Sequence, residues 1–166
     1  RVIQVLEDYE QAVLSAKRHP LVDPATLTVS VITGGTAVNV VPAECTISVD
    51  LRTMPDEDPG AAMQDAQRYL AARLDFNVHH DDVQLWGGAD LPANAPLVRH
   101  VLACCAAAGR PGLDPAGVNY GCHASDYARA GIPAVVLGPG DIASAHAIDE
   151  HVERDSLERA VAIYFR

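Results

Sequence analysis

The stretch ECTISVDLR, from Glu44 to Arg52, alternates polar and apolar side chains along its length. Its apolar members share one face: Cys45, Ile47, Val49 and Leu51. Alternation with a period of two residues is typical of a half-buried β-strand. The run from Thr26 to Thr33 alternates polar and β-branched residues in the same way. The sequence therefore predicts two neighbouring strands, which we expect to pair in an antiparallel arrangement.

Helical patterns stand on both sides of this strand pair. Apolar residues recur at helical spacing over residues 1–18, and Pro20 ends the pattern because the residue before a proline disfavours the helical conformation. Asp58 and the proline after it are typical of a helix start. A further strand is predicted from Asn77 to Trp86. We therefore expect residues 1–88 to form a small α+β domain.

Residues 92–166 show a different order of helix and strand signals from residues 1–88. The linker GGADLPANAP lies at residues 87–96. The first expected element is a helix capped by Asn94 and ending at Gly109. A short helix is expected over residues 124–130, and a buried parallel strand in IPAVVLGPG at residues 132–140. A last helix is expected to open with a capping box of Asp155 and Glu158 and to reach Phe165. One or two strands are too few for a sheet with both faces covered. We therefore expect a piece of an α/β sheet whose other strands lie elsewhere.

Composition and charge argue against some classes of binding partner. The formal net charge is −10 over 166 residues, and the basic residues form no stripe. This argues against a nucleic acid or an anionic membrane as partner and favours a small molecule or another protein. The four cysteines show no CxxC spacing, and no apolar run reaches the length of a membrane span. We expect a cytoplasmic protein with reduced thiols. The chain begins inside an amphipathic pattern without an initiator methionine, so we also expect it to be part of something longer.

Two places have the composition of a metal site. The run HHDD at residues 79–82 falls in the strand predicted from Asn77 to Trp86, and adjacent strand side chains point to opposite faces, so we interpret it as a solvated segment. His146 lies in GPGDIASAHAIDEH, beyond the predicted buried strand, where ligands gather in open α/β sheets. The alternative is that His146 closes the loop through Asp149 or Glu150. A zinc site needs three or four donors, and the spacing supplies no second ligand.

Arg52 is the strongest candidate for binding a substrate. It ends the polar face of the predicted strand, and a planar guanidinium suits a carboxylate in bidentate geometry. The alternative is an ion pair within the sheet, with an acid such as Asp50. Ion pairs of this kind are common on protein surfaces and individually contribute little.

Three segments together carry a resemblance to a known family. They are GGTAVNVVPAECTISVDLRTMP (34–55), GVNYGCHASDYARAGIP (117–133) and LGPGDIASAHAIDEHV (137–152). In order and spacing they resemble the di-zinc amidohydrolases that include acetylornithine deacetylase, succinyl-diaminopimelate desuccinylase and carboxypeptidase G. The resemblance implies a lid domain, residues 1–88, inserted into a zinc-binding catalytic domain whose C-terminal part is residues 92–166. It also implies a homodimer that pairs through a helix and an edge strand of the lid.

The resemblance implies two zinc ions per complete subunit, with cobalt as an alternative. The histidine of the third segment, His146, corresponds to one zinc ligand, and at most this one ligand is present. The family's other ligands, its general base and a lid histidine that serves the partner's oxyanion precede Arg1. We therefore expect no catalytic residue in these 166 residues, and no activity from this chain alone.

The chain contains more of the family's substrate-binding residues than of its metal ligands. The resemblance assigns substrate binding to Arg52, Asn39 and Gly121. Asn39 has a turn role as its alternative, because an asparagine side chain can satisfy its own loop. The implied activity is zinc-dependent deacylation of an N-acyl amino acid, with N-acetylornithine and arginine biosynthesis as the first candidates. The alternatives are a related desuccinylase, aminoacylase or carboxypeptidase, or a non-catalytic dimerisation or interaction module.

One position departs from the family pattern. The family carries an acid in a Thr-Glu-Ala or Ser-Asp-Ala pattern where this chain has His123. The nearest acid, Asp126, lies three residues later. Either Asp126 takes over this role, or the cationic end of the substrate is recognised differently.

Overall fold

The computed structural model describes residues 1–81 and 83–166, which form two compact units. The first unit comprises Arg1–Gly88 together with Gly117–Gly121, and the second comprises Ala89–Ala116 and Cys122–Arg166. The short segment 117–121 therefore belongs to the first unit, whereas the sequence predicts it as part of residues 92–166. Each unit is described by itself below.

Helix α1, Val2–Ala12, opens the first unit. Val5, Leu6 and Tyr9 follow the helical spacing of its apolar residues, and all three are buried. The regular helix ends earlier than the predicted residue 18. A 3₁₀ turn over Leu14–Ala16 continues it, and Lys17 is already extended. Tightening of this kind is common at the C-terminal end of a helix.

Strands β1, Thr26–Gly34, and β2, Cys45–Arg52, pair antiparallel as predicted. Leu27 pairs with Leu51, Val29 with Val49 and Ile32 with Ile47. The register shifts between Val29 and Val31, where Ser30 is the extra residue of a bulge. Because side chains alternate along a strand, the bulge returns Ile32 to the face that carries Leu27 and Val29. Strict alternation over residues 26–33 does not predict this bulge.

Helix α2, Pro59–Ala71, begins where the sequence predicted. The Asp58 carboxylate caps it by accepting a hydrogen bond from the Gly60 amide at 3.1 Å. Its buried face packs on α1, and α1 in turn contacts β1, so that the three elements share one core. The buried members of that core are Val5, Leu6, Tyr9, Leu14, Ala25, Leu27, Met54, Ala66 and Leu70.

The third strand predicted in the first unit, Asn77 to Trp86, is wrong for the described residues. None of residues 77–81 or 83–86 belongs to a strand, and the sheet holds only β1 and β2. A strand requires a neighbour for its backbone hydrogen bonds, and this alternating segment lies exposed without one. Within HHDD, His79 contacts Asp81 at 2.9 Å in solvent. Asp82 lies outside the described residues.

The second unit is helical. It contains α3, Pro96–Ala107, α4, Ala124–Arg129, and α5, Arg154–Tyr164. Helices α3 and α5 contact each other. The α3 helix stops before Gly109, which has φ +84°, a left-handed conformation that suits glycine at a helix end. The two adjacent thiols of α3, Cys104 and Cys105, are buried.

The predicted strand at residues 132–140 is wrong, because residues 89–116 and 122–166 form no strand. Val136 is half exposed, and no neighbouring strand of the unit is available to pair with this apolar run. Among the described residues, no helix is long and apolar enough to cross a membrane.

Two predicted helix caps of the second unit are also wrong. Ala95, not Asn94, stands at the N-cap of α3, since Pro96 is its first residue. Glu153 stands at the N-cap of α5, and Asp155 falls inside the first turn. Glu158 pairs with Arg154 one turn earlier instead of closing a capping box.

Candidate functional site

Arg52 lies at the end of β2, on the polar face that the alternation predicted. Its Nε donates to the Asp50 carboxylate at 3.0 Å, which is the ion pair considered as the alternative to substrate binding. Its Nη1 donates to the backbone carbonyl of Asn119. The Arg52 side chain remains 53% exposed. A guanidinium carries five N–H donors, so three remain for a ligand within the described part of the chain.

The partner of Arg52 is itself held in place. The Asn119 side-chain amide donates to the Asp23 carboxylate at 2.6 Å. Asp23 and Asn119 are 96 residues apart in the sequence, and no local pattern predicts either as a site residue. The GVNYG motif gave a weak signal, because glycines flanking polar residues mark a segment whose backbone can approach another closely.

The other two predicted substrate contacts, Asn39 and Gly121, are both exposed to solvent. Asn39 lies exposed in the loop that joins Gly34 to Cys45, at the far end of β2. A strand of eight residues spans about 24 Å, and the loop that carries Asn39 joins β2 at the end opposite to Arg52. Gly121 is exposed, and a Cβ placed there would meet no atom within 4 Å.

His146 follows a 3₁₀ turn in the second unit and has φ +62°. Among the described residues it is the one non-glycine residue with a positive φ. This conformation is uncommon for residues with a Cβ, and such strain clusters at functional sites. The Glu150 carboxylate accepts a hydrogen bond from the His146 backbone amide at 3.1 Å. The alternative role predicted for His146, closing the loop through Glu150, is therefore present. The contact uses the backbone amide of His146, so the imidazole stays exposed.

His123 and Asp126 form a pair at the start of α4. His123 Nδ1 lies 3.0 Å from one carboxylate oxygen of Asp126, and Arg129 donates to the other. The His123 hydrogen bond, with help from Arg129, lowers the pKa of Asp126. Both oxygens of the acid nearest to the family's acidic position are therefore already occupied by basic side chains.

The described residues do not form a complete metal site. No three His, Cys, Asp or Glu side chains within residues 1–81 and 83–166 come together to hold an ion. Protein zinc sites use at least three protein donors, so the described residues do not hold zinc by themselves. His146 fits such a site only as a single ligand whose partners come from elsewhere.

Comparison with known proteins identifies relatives of both parts of the chain. Residues 1–77 match a family model described as a peptidase dimerisation domain. An acetylornithine deacetylase of Myxococcus xanthus is 32% identical over 145 residues, which cover 85% of this chain and 37% of the relative. A second acetylornithine deacetylase, of Aliivibrio fischeri, is 26% identical over 145 residues, covering 83% of this chain and 36% of the relative.

A Mycobacterium tuberculosis protein named as a succinyl-diaminopimelate desuccinylase is 32% identical over 138 residues, covering 81% of this chain and 36% of the relative. The chain thus spans little more than a third of the length of the curated relatives it matches. The matches nevertheless extend over most of this chain, beyond the dimerisation domain. A peptidase dimerisation domain is therefore present, and the resemblance of the chain to the acetylornithine deacetylase and succinyl-diaminopimelate desuccinylase family of hydrolases is confirmed.

Proposed function

We propose that this chain forms part of a zinc-dependent hydrolase that deacylates an N-acyl amino acid, with N-acetylornithine as the first substrate and arginine biosynthesis as its setting. Two relatives are named for removal of an acetyl group from ornithine and one for removal of a succinyl group. The observation that carries the proposal is Arg52, a half-exposed guanidinium with three N–H donors available.

Arg52 binds the substrate's carboxylate in this proposal. A guanidinium and a carboxylate match in shape and charge, and two parallel hydrogen bonds fix the direction of the bound amino acid. The Asp50 carboxylate occupies Nε and the Asn119 carbonyl occupies one N–H of Nη1. The other N–H of Nη1 and both N–H groups of Nη2 remain for the ligand. Gly121 and Asn39 are further proposed contacts to the substrate.

His146 is the proposed zinc ligand within residues 92–166, which we propose to be the C-terminal part of the catalytic domain. When two metal ions are bound, they supply an activated water and hold a developing oxyanion. The described residues provide one ligand and no general base, so no hydrolytic step is assigned to them. We propose that these 166 residues do not hydrolyse substrate by themselves.

The first unit is proposed as the lid through which two copies pair. A peptidase dimerisation domain matches most of it, and each strand of its two-stranded sheet leaves one edge open within the described residues. The four cysteines are all free thiols, which supports a reducing compartment, and we propose the cytoplasm. The second candidate function is a non-catalytic dimerisation module, which the match over residues 1–77 favours.

Ligand binding by this chain separates the two candidates. N-acetylornithine is expected to shift the side-chain ¹⁵N signal of Arg52, and Arg52→Lys is expected to weaken binding about tenfold because a lysine cannot make the bidentate contact. Arg18→Lys, an exposed arginine that donates to carbonyls of its own turn, is the matched control. A purely structural module predicts no shift at any concentration. Equal affinities of the Arg52 and Arg18 variants would contradict the proposed role.

A further inference from the structure

The segment Gly117–Gly121 is docked on the first unit at its beginning. A Cβ built at Gly117 would lie 2.1 Å from the Leu21 carbonyl oxygen and 2.5 Å from Val22 Cγ1. Real Cβ contacts are essentially never this short, so only glycine allows the two backbones to lie together. Close backbone contact at Gly117 therefore holds the beginning of the segment against Leu21 and Val22.

Asn119 lies two residues further along, between an acid and a base of the first unit. Its side-chain amide donates to Asp23 at 2.6 Å, and its backbone carbonyl accepts from Arg52 Nη1. Asp23 does not touch Arg52 in any hydrogen bond or ion pair of the described residues. The hydrogen-bonded connection from Asp23 to Arg52 therefore runs through Asn119.

We propose that Asp23 is a positioning residue for the Arg52 guanidinium and acts through Asn119. Asp23 holds the Asn119 side chain, and this places the Asn119 carbonyl where it holds Arg52 Nη1. Asp50 holds the other end of the guanidinium through Nε. That the oriented tip receives a substrate carboxylate rests on the proposed function, whereas the positioning itself does not.

This arrangement reduces the freedom of Arg52 before any ligand arrives. A free arginine side chain loses considerable rotamer entropy when a ligand immobilises it. Two anchors on one guanidinium remove part of that loss in advance. The carbonyl anchor is neutral, so it orients the group without cancelling its charge, unlike a second carboxylate placed directly against it.

The test uses the full 166-residue chain and the side-chain ¹⁵N signal of Arg52. Asp23→Ala and Asn119→Ala each remove one partner of the same hydrogen bond, and both leave the Asn119 carbonyl in the chain. We expect both variants to shift the Arg52 signal and to speed its exchange with water. We expect each to weaken binding of N-acetylornithine by about three- to tenfold. Because both break one link, the double variant should be no weaker than either single variant.

Two control variants separate positioning from charge and from folding. Asp8→Ala removes an exposed acid of α1 and should leave the Arg52 signal unchanged. Asp23→Asn keeps a side-chain oxygen that can accept from Asn119, and it should restore the Arg52 signal to that of the unmutated chain. An Asp23→Ala variant whose Arg52 signal matches that of Asp8→Ala overturns the inference, as does a failure of Asp23→Asn to restore the signal. If N-acetylornithine does not bind the unmutated chain, the proposed function fails, and the response of the Arg52 signal still decides the inference.

Discussion

Gly117→Ala is expected to detach residues 117–121 from the first unit. The new Cβ would overlap the Leu21 carbonyl oxygen at 2.1 Å and the Leu21 carbonyl carbon at 2.7 Å. Both are backbone atoms, so a rotamer change cannot relieve the overlap, and the segment has to move. Forcing an extra carbon into a well-packed contact costs about 1–3 kcal/mol. We expect a free energy of unfolding lower by about that amount, together with loss of the Asn119 contact to Arg52.

Gly121→Ala is the matched control within the same segment. A Cβ there meets no atom within 4 Å, and neither Gly117 nor Gly121 has a positive φ. Urea unfolding and amide hydrogen exchange of residues 117–121 measure the difference between the two variants. Protection of the segment should fall in Gly117→Ala and persist in Gly121→Ala. Equal stability and equal protection would contradict the docking of the segment by close backbone approach.

Tyr9→Ala is expected to destabilise the first unit by about 3–5 kcal/mol, the usual cost of removing a large buried aromatic side chain. Tyr9 is 1% exposed at the centre of the core that joins α1 to α2. Its ring lies 5.0 Å from the ring of Tyr69, and its hydroxyl donates to the Asp65 carboxylate at 3.1 Å. Tyr9→Phe keeps the ring and isolates the hydroxyl, and should cost only about 1 kcal/mol at neutral pH.

The hydroxyl of Tyr9 also predicts a pH dependence. Burial, followed by the hydrogen bond and the charge of Asp65, raises the pKa of Tyr9 to about 12 from 10.0. Above pH 10 the unfolded chain therefore releases this proton more readily than the folded chain. Stability due to the neutral hydroxyl is fully present below pH 10 and is lost as the pH rises towards 12.

Chemical unfolding from pH 8 to pH 12 measures this difference between the unmutated chain and Tyr9→Phe. The phenylalanine variant lacks the ionising group, so its stability should fall less steeply between pH 10 and pH 12. Parallel pH profiles for the two proteins would show that Tyr9 ionises equally well in the folded state. Tyr9→Ala, which unfolds more easily at every pH, separates the loss of packing from the loss of the hydroxyl.

The local patterns of the sequence predicted the elements whose causes are local. The β1–β2 pair follows from alternation between Thr26 and Arg52, and the start of α2 follows from Asp58 and Pro59. The strand predicted from Asn77 and the strand predicted from Ile132 failed for the same reason. Alternation or apolar character makes a segment suitable for a sheet, but a strand forms only where a neighbour supplies hydrogen bonds.

The candidate site shows the same difference between features with local causes and features that depend on distant residues. Arg52 was identified from its place on a polar strand face, because that face is set by the residues beside it. Its contact with Asn119 spans 67 residues, and no local pattern encodes a contact of that range. The left-handed backbone of His146 was also missed, since an alanine on each side gives no signal for a positive φ. The Ser30 bulge corresponds to the odd spacing from Val29 to Ile32 in the sequence.

We propose that this chain supplies the lid and the C-terminal part of a zinc-dependent deacylase. The most direct test replaces the matching region of the Myxococcus xanthus acetylornithine deacetylase with residues 1–166 and measures N-acetylornithine hydrolysis and bound zinc. We expect turnover with about two zinc ions per subunit. We expect His146→Ala to lower zinc content and to reduce turnover by about a hundredfold or more, whereas His80→Ala changes neither. A folded, dimeric chimera without zinc or turnover, or one whose activity survives His146→Ala, would contradict the claim.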